Sequence, residues 1–359
     1  MTGLFDALTL RGTTFRNRLW VAPMCQYSCL ERDGVPTDWH LVHLGSLARG
    51  GAGLVIAEAT AVVPEGRISP QDTGIWSDAH AAAWARIATF VRDQGAVPGI
   101  QLGHAGRKAS TFAPWGADRT GSVPPEEGGW EAVAPSAVAF DGYAVPRALT
   151  LDELPAIVQA FADAAVRAVR AGFGLVEIHA AHGYLLHQFL SPLSNRRDDA
   201  YGGPLENRAR LLLEVVRAVR EAVGEELPVF VRFSATDWAD DGWHVDETAT
   251  VAGWAREAGA DLFDISTGGL VGGVRIPLGP GYQVPFAEQV GDDADVPVSA
   301  VGLITTPEQA DAVIRDGRAD AVMLGRELLR DPHFPLRAAH ALGVDIDYWP
   351  PQYVRARPR

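Results

Sequence analysis

The chain has 359 residues, 47% of them hydrophobic, and a formal net charge of −14. That is enough apolar material for one large core, and the acidic balance argues against nucleic acid or an anionic membrane surface as a main partner. No apolar run is long enough to span a bilayer, the opening MTGLFDALTLRGTTF lacks a secretion-signal pattern, and Cys25 and Cys29 are too few for a disulfide framework, so a soluble, cytoplasmic protein is expected.

In chain order, residues 8–16 alternate around Arg11-Gly12 and read as a β-hairpin, a plug for the bottom of a barrel. Leu19 to Pro23 forms a first strand, followed at once by Met24, Cys25, Gln26 and Tyr27. A helix capped by Thr37 runs to Arg49, and a second strand, Leu54 to Ala57, ends in Glu58, Ala59 and Thr60. A helix over Asp78 to Gln94 leads to strand three, Val97 to Leu102, which carries Gln101. The Gly/Pro/Trp-rich segment between Gly103 and Leu149 has no clear periodicity, and a loop of that length suits a lid or insertion. Within it, Lys108 is the only lysine in a chain whose other cations are all arginine, which marks a position suited to an ammonium.

Thr150 with Glu153 makes a capping box opening a helix to Arg170. Leu175, Val176 and Ile178 then form a buried strand that ends in His179, followed by His182, Gly183 and Tyr184. Two imidazoles and a phenol leaving one strand end can bind a carbonyl and hand over a proton. His-x-x-His also fits a metal pair, given a further ligand, or satisfied core residues, and the residues alone leave these open. The helix Leu205 to Val223, strand Val229 to Phe233 with Arg232, helix 246–258, strand Leu262 to Ser266 and strand Val296 to Val301 follow. A helix from Thr306-Pro307 and a last strand, Ala321 to Leu324, complete the pattern. Eight strands alternating with helices predict a single (β/α)8 TIM barrel, α/β in class, with a hairpin plug and a long loop after strand three.

Gly302 and Gly325-Arg326 follow the last two strands, where such barrels often hold a phosphate. Gln101 offers a donor and an acceptor for a flavin pyrimidine edge, and Arg232 a positive charge for its N1–C2=O region; an interior polar layer for Gln101 and a strand-end ion pair for Arg232 are the alternatives. No G-x-G-x-x-G opens a helix after a strand, so a nicotinamide cofactor would visit the same open face as the substrate.

Taken together, Ala22-Pro-Met-Cys-Gln-Tyr27, Glu58-Ala-Thr60, Gln101 to Lys108, Glu177-Ile-His-Ala-Ala-His-Gly-Tyr184, Ser191 to Asn195, Tyr201-Gly-Gly203, Asn207-Arg208 and Gly325 to Arg330 resemble the old yellow enzyme family of FMN-dependent ene-reductases. The likeness covers nearly the whole chain and is greatest to the bacterial, xenobiotic-reductase-like branch with a cysteine after the first strand. The resemblance implies that Ala22, Pro23, Met24, Cys25, Ala59, Gln101, Arg232, Gly302, Gly325 and Arg326 hold FMN, although serine is usual where this chain has Ala22. It implies that His179 and His182 bind the substrate carbonyl, that Tyr184 is the proton donor and that Tyr27 lines the pocket. NADPH or NADH is the implied hydride donor and an enone or enal the implied substrate. A homodimer or homotetramer follows in which Arg355, near the C-terminus, enters the neighbour's site. The competing readings are another flavin barrel that oxidises its substrate, a metal-dependent barrel hydrolase using His179 and His182, and a flavoprotein sensor without turnover.

Overall fold

The structure is a computed structural model that describes residues 2–116 and 118–358. Eight parallel strands close into a barrel: β1 (Leu19–Val21), β2 (Leu54–Ala61), β3 (Val97–Gly103), β4 (Leu175–Ala180), β5 (Val229–Ser234), β6 (Leu262–Ser266), β7 (Val298–Ala300) and β8 (Ala321–Leu324). Closure is made by β8 on β1, with Val322 opposite Leu19 and Leu324 opposite Val21. The strands read as near-continuous apolar runs because both faces are buried, one under helices and one inside the barrel.

Side chains alternate between those faces, and the inward set changes character along each strand. Leu175, Phe230 and Leu262 join Trp20, Leu54 and Met323 in an inner apolar cluster. Two residues further on stand Glu177, Arg232 and Asp264, all buried, and two further still His179, Ser234 and Ser266. Outward residues such as Val176, Ile178, Val231 and Phe263 belong to the larger core under the helices.

The predicted hairpin, Leu8–Leu10 with Thr13–Phe15, is antiparallel, with Leu8 opposite Phe15. Phe15 lies 4.8 Å from Trp20 and 6.3 Å from Phe230, ring centroid to centroid, and plugs the apolar end. Its turn needs Gly12, where a Cβ would come within 3.1 Å of the Glu226 carbonyl oxygen.

Several boundaries differ from the sequence expectation. β1 stops at Val21, before Pro23, which has no N–H for a ladder. β2 continues to Ala61 through an irregularity between Ala57 and Ala59, so Glu58 sits at a bulge. The helix Val284–Ala294 was not expected, because the Gly/Pro-rich run before it and the short apolar spacing of Val284, Ala287 and Val290 read as loop. The short helices Leu185–Leu190, Arg326–Arg330 and Phe334–Ala341 were likewise unforeseen. Segment 103–149 holds 3-10 turns at Gly106–Lys108 and Pro125–Glu127 and a two-stranded parallel pair, Val133–Ala134 with Arg147–Ala148. No helix is long and apolar enough to cross a membrane among the described residues.

Removing the central ring of the plug stack by Phe230→Ala should cost about 3–5 kcal/mol, the usual range for a buried aromatic. The check is a lowered denaturant midpoint at unchanged slope.

Candidate active site

His179 is the last inward side chain of β4, and His182 and Tyr184 follow on the turn that leaves the barrel. The His179 ring centroid lies 5.3 Å from that of His182 and 4.9 Å from that of Tyr184, both edge-on. His179 Nδ1 accepts the Ala181 N–H at 3.2 Å, so a neutral His179 carries its proton on Nε2. His182 adopts a left-handed backbone, φ +56°, unusual for a residue with a side chain. Three contacts hold it there: its N–H donates to Ser234 Oγ (2.9 Å), its ring Nε2 bonds Ser266 Oγ (2.8 Å), and its carbonyl accepts from Lys108 Nζ (2.9 Å).

One effect sets the protonation of all three groups. Burial holds both imidazoles well below the usual histidine range, and the Arg232 charge adds to this. Burial also pushes the Tyr184 phenol well above its usual range. Desolvation penalises whichever form is charged, so the imidazoles stay neutral and the phenol stays protonated.

Behind this turn is a buried buttress. His187 Nδ1 accepts the Gly183 N–H (2.9 Å), and its Nε2 lies 3.0 Å from Asp237 Oδ1, both side chains being wholly buried. Ser191 Oγ and the Trp243 N–H donate to Asp237 Oδ2 at 2.7 and 2.9 Å. Burial works against the Asp237 charge, but His187 and these donors outweigh it and hold the carboxyl below its usual value. The Gly183 carbonyl accepts from Gln188 Nε2 (2.7 Å), so both polar groups of that residue are fixed.

Deeper in the barrel, Gln101 Nε2 donates to Glu177 Oε1 (2.8 Å), and Arg232 Nε lies 2.8 Å from Asp264 Oδ2. One guanidinium thus faces two buried carboxyls. Burial, then the Asp264 charge, raises Glu177, and Asp264 is raised by burial too. Glu177 Oε2 has no hydrogen-bond partner among the described residues. Arg232 thus makes an ion pair with Asp264 in the middle layer of the barrel, one step below the mouth.

On the other side, Gln26 N–H donates to Glu58, and His40 Nε2 bonds Glu58 Oε1 at 2.8 Å. His40 Nδ1 accepts the Thr37 N–H (2.9 Å), so the predicted Thr37 helix start, the β2 bulge and the Cys25–Tyr27 loop are one network. Cys25 is half-buried and burial raises its thiol, with Asp72 and Glu58 adding to it, so it is a thiol rather than a thiolate. Tyr27 has φ +49° and meets the Trp115 ring edge-on at 5.1 Å.

Between the ends of β7 and β8 lies a cavity of about 260 Å3 lined by residues that include Gly302, Leu303, Gly325, Arg326 and Arg330. Gly302 has φ +129°, and a Cβ there would meet the Gln283 side chain at 3.0 Å. An open, backbone-lined cradle with exposed guanidinium groups suits a phosphate. His182 and Ser266 line the same cavity, which therefore reaches the turn after β4. A Cβ on Gly325 would sit 3.5 Å from Met24 Sδ, which brings the β1 and β8 exits together. Ala22 and Pro23 follow β1, Ala59 lies near the end of the neighbouring β2, and Gln101 lies one layer below the end of β3, a set that fits a phosphate-bearing flavin.

Arg355 does not join them. It is exposed in the 3-10 turn Pro351–Ala356, and its neighbour Tyr353 packs on Arg49 and His333 outside the barrel. No cluster of three or more His, Cys, Asp or Glu side chains able to hold a metal occurs among the described residues. The Glu58–His40 and His187–Asp237 pairs were not identified from sequence; the one signal was a glutamate and a histidine placed among apolar residues of a strand and a helix.

A cavity with exposed guanidinium groups reaching His182, with His179 and Tyr184 beside it at the mouth of a (β/α)8 barrel, suits an oxidoreductase that carries a phosphate-bearing cofactor. Residues 3–344 match the NADH:flavin oxidoreductase / NADH oxidase family, and the chain belongs to that family, the one that includes old yellow enzyme. It is 48% identical over 355 residues to an NADPH dehydrogenase of Geobacillus thermodenitrificans (strain NG80-2), covering 99% of this chain and 98% of the relative. The old yellow enzyme homologue from Zymomonas mobilis superposes with a TM-score of 0.79 at 31% identity, covering 100% of both chains. A 2-naphthoyl-CoA reductase gives a TM-score of 0.85 at 26% identity over 95% of this chain but only 52% of its own. The protein is an FMN-dependent NADPH or NADH oxidoreductase of the old yellow enzyme type.

Because both site imidazoles are held neutral, their side-chain NMR resonances should stay at the neutral position between about pH 5 and 8. A transition near pH 6.5, about the ordinary histidine value, in either residue would contradict the burial argument.

Proposed function

We propose that the enzyme reduces the C=C bond of α,β-unsaturated carbonyl compounds, with Tyr184 as proton donor. The observation that carries this reading is the placement of neutral His182 and protonated Tyr184 edge-on against neutral His179, with His182 also lining the cavity proposed for the phosphate. FMN, when bound and reduced by the nicotinamide nucleotide, supplies the hydride. His179 donates Nε2–H to the substrate carbonyl. With Ser266 Oγ donating to His182 Nε2, the second imidazole donates from Nδ1. Both bonds strengthen as the carbonyl oxygen gains enolate charge, which lowers the barrier rather than merely tightening binding. Tyr184 gives its O–H proton to the α-carbon.

Tyr27 lines the pocket with Trp115 beside it, and Cys25 lies in the same loop as a neutral thiol. Ala22, Pro23, Met24, Cys25, Ala59 and Gln101 are the proposed contacts to the flavin ring, with Arg232 at its electron-rich edge. Gly302, Gly325 and Arg326 are those to the phosphate. The exposed position of Arg355 on the outer face is compatible with its reaching a neighbouring copy's site in a homodimer or homotetramer. The single barrel domain spans the chain, with the tail at that interface, and a cytoplasmic location is proposed. The alternative of a metal hydrolase would need a third ligand near His179, whose Nδ1 is already engaged by Ala181 N–H.

The test is anaerobic reduction by NADPH followed by an enone, with product analysis. His179→Ala should slow the enone step by roughly 10²–10³-fold, as for loss of an oxyanion donor. Tyr184→Phe should slow it too, and full turnover of every enone in that variant would refute the acid role. Arg326→Ala should weaken FMN binding by roughly 10–100-fold in a titration of apoprotein, the loss of a charge-assisted contact.

A further inference from the structure

The lone lysine has a place in the site that the proposed mechanism has not used. Lys108 Nζ donates to the His182 and Gly269 carbonyls, each at 2.9 Å. It lies 5.1 Å from the Tyr184 ring centroid and 4.8 Å from that of Phe140. The two carbonyls belong to the turns after β4 and β6, which touch backbone to backbone: a Cβ on Gly183 would stand 2.2 Å from the Gly269 oxygen. Arg107 extends the same staple, donating to Leu270 O (2.6 Å) and Val138 O (3.2 Å).

We propose that Lys108 is the positioning residue of the protonation step, pinning the left-handed His182 turn and setting its charge against the Tyr184 ring, where it favours the phenolate left behind. This rests on Tyr184 being the donor. In that step the Tyr184 O–H bond breaks and a C–H bond forms at the substrate α-carbon from the enolate electron pair. The phenolate then recovers a proton from water, and nothing is oxidised or reduced. A compact ammonium can serve two carbonyls and still present its charge to rings on either side, whereas a planar guanidinium is too broad. That explains a lysine in a chain otherwise furnished with arginine.

Burial, then the Arg107 charge, brings the Lys108 ammonium down to about 8. The other ionisable groups near it are His179 at the end of β4, His182 and Tyr184 on the turn after it, and Asp237 and Asp141 beyond Arg107. None of the groups that shift it is a carboxylate. The supporting charge is therefore present below pH 8 and lost above it.

The experiment compares wild type, Lys108→Met and Tyr184→Phe holoenzymes in anaerobic stopped-flow with an enone across pH. It adds the 19F resonance of 3-fluorotyrosine placed at 184, which reports the charge beside that ring. The expected wild-type enone step falls off above about pH 8 and the wild-type 19F resonance shifts there as the ammonium discharges; Lys108→Met lacks both and is roughly 10-fold or more slower at neutral pH. If Tyr184→Phe slows the step while Lys108→Met keeps the wild-type rate, limb and 19F titration, the Lys108 assignment alone fails. If Tyr184→Phe keeps the wild-type rate, the donor reading and this inference fall together. Should Lys108→Met not load with flavin, the wild-type 19F titration decides. An inflection near pH 8 supports the assignment, and a resonance that does not move there overturns it.

Discussion

Closing eight parallel strands into a barrel leaves each inward side chain only the interior or the open mouth. Everything else in this molecule depends on that constraint. Along β4, β5 and β6 the inward positions run from Leu175, Phe230 and Leu262 to Glu177, Arg232 and Asp264, and then to His179, Ser234 and Ser266. The apolar base sealed by Phe15 keeps water from the lower end. The middle layer then holds charge in a place where an isolated ion would be very costly. One guanidinium between two carboxyls is tolerated because burial and mutual repulsion favour a proton on one of them.

The same dryness sets the chemistry of the mouth. In water, a histidine pair and a tyrosine would differ little from their free values. Here one cause, desolvation, moves the imidazoles down and the phenol up, so three hydrogen-bond donors are ready without any of them carrying charge. A nearby cation, Arg232, reinforces the neutral imidazoles. Such a site has little to reorganise when charge develops on a bound carbonyl, which is the condition under which preorganised donors are most effective.

Holding the groups in place demands more of the backbone. His182 occupies a left-handed conformation that an ordinary residue avoids, and such strain persists only where the surroundings over-determine it. The surroundings come from three strand ends: Lys108 after β3, Ser234 at the end of β5, Ser266 at the end of β6, and Gly269 beyond it in direct contact. His187 and Asp237 then lock the following residue from behind. The reactive turn is short, but its geometry is specified by partners from much of the barrel.

The alternation of strands with helices, the hairpin plug and the convergence of His179, His182 and Tyr184 were legible in the sequence, because periodicity and strand ends are local properties. Lys108 stood out by composition alone. The sequence did not disclose the Val284–Ala294 helix, whose weak apolar spacing is compensated by packing, or the extension of β2 through its bulge. It also did not disclose that Glu58 holds the Gln26 N–H, that His187 pairs with Asp237, or that Lys108 bridges two turns. A buried polar residue declares its role only through its partner, and these partners come from distant strands. The sequence by itself determined the architecture and the reactive groups. Only barrel closure decided which groups share a dry interior, and therefore which of them are neutral, paired or held under strain.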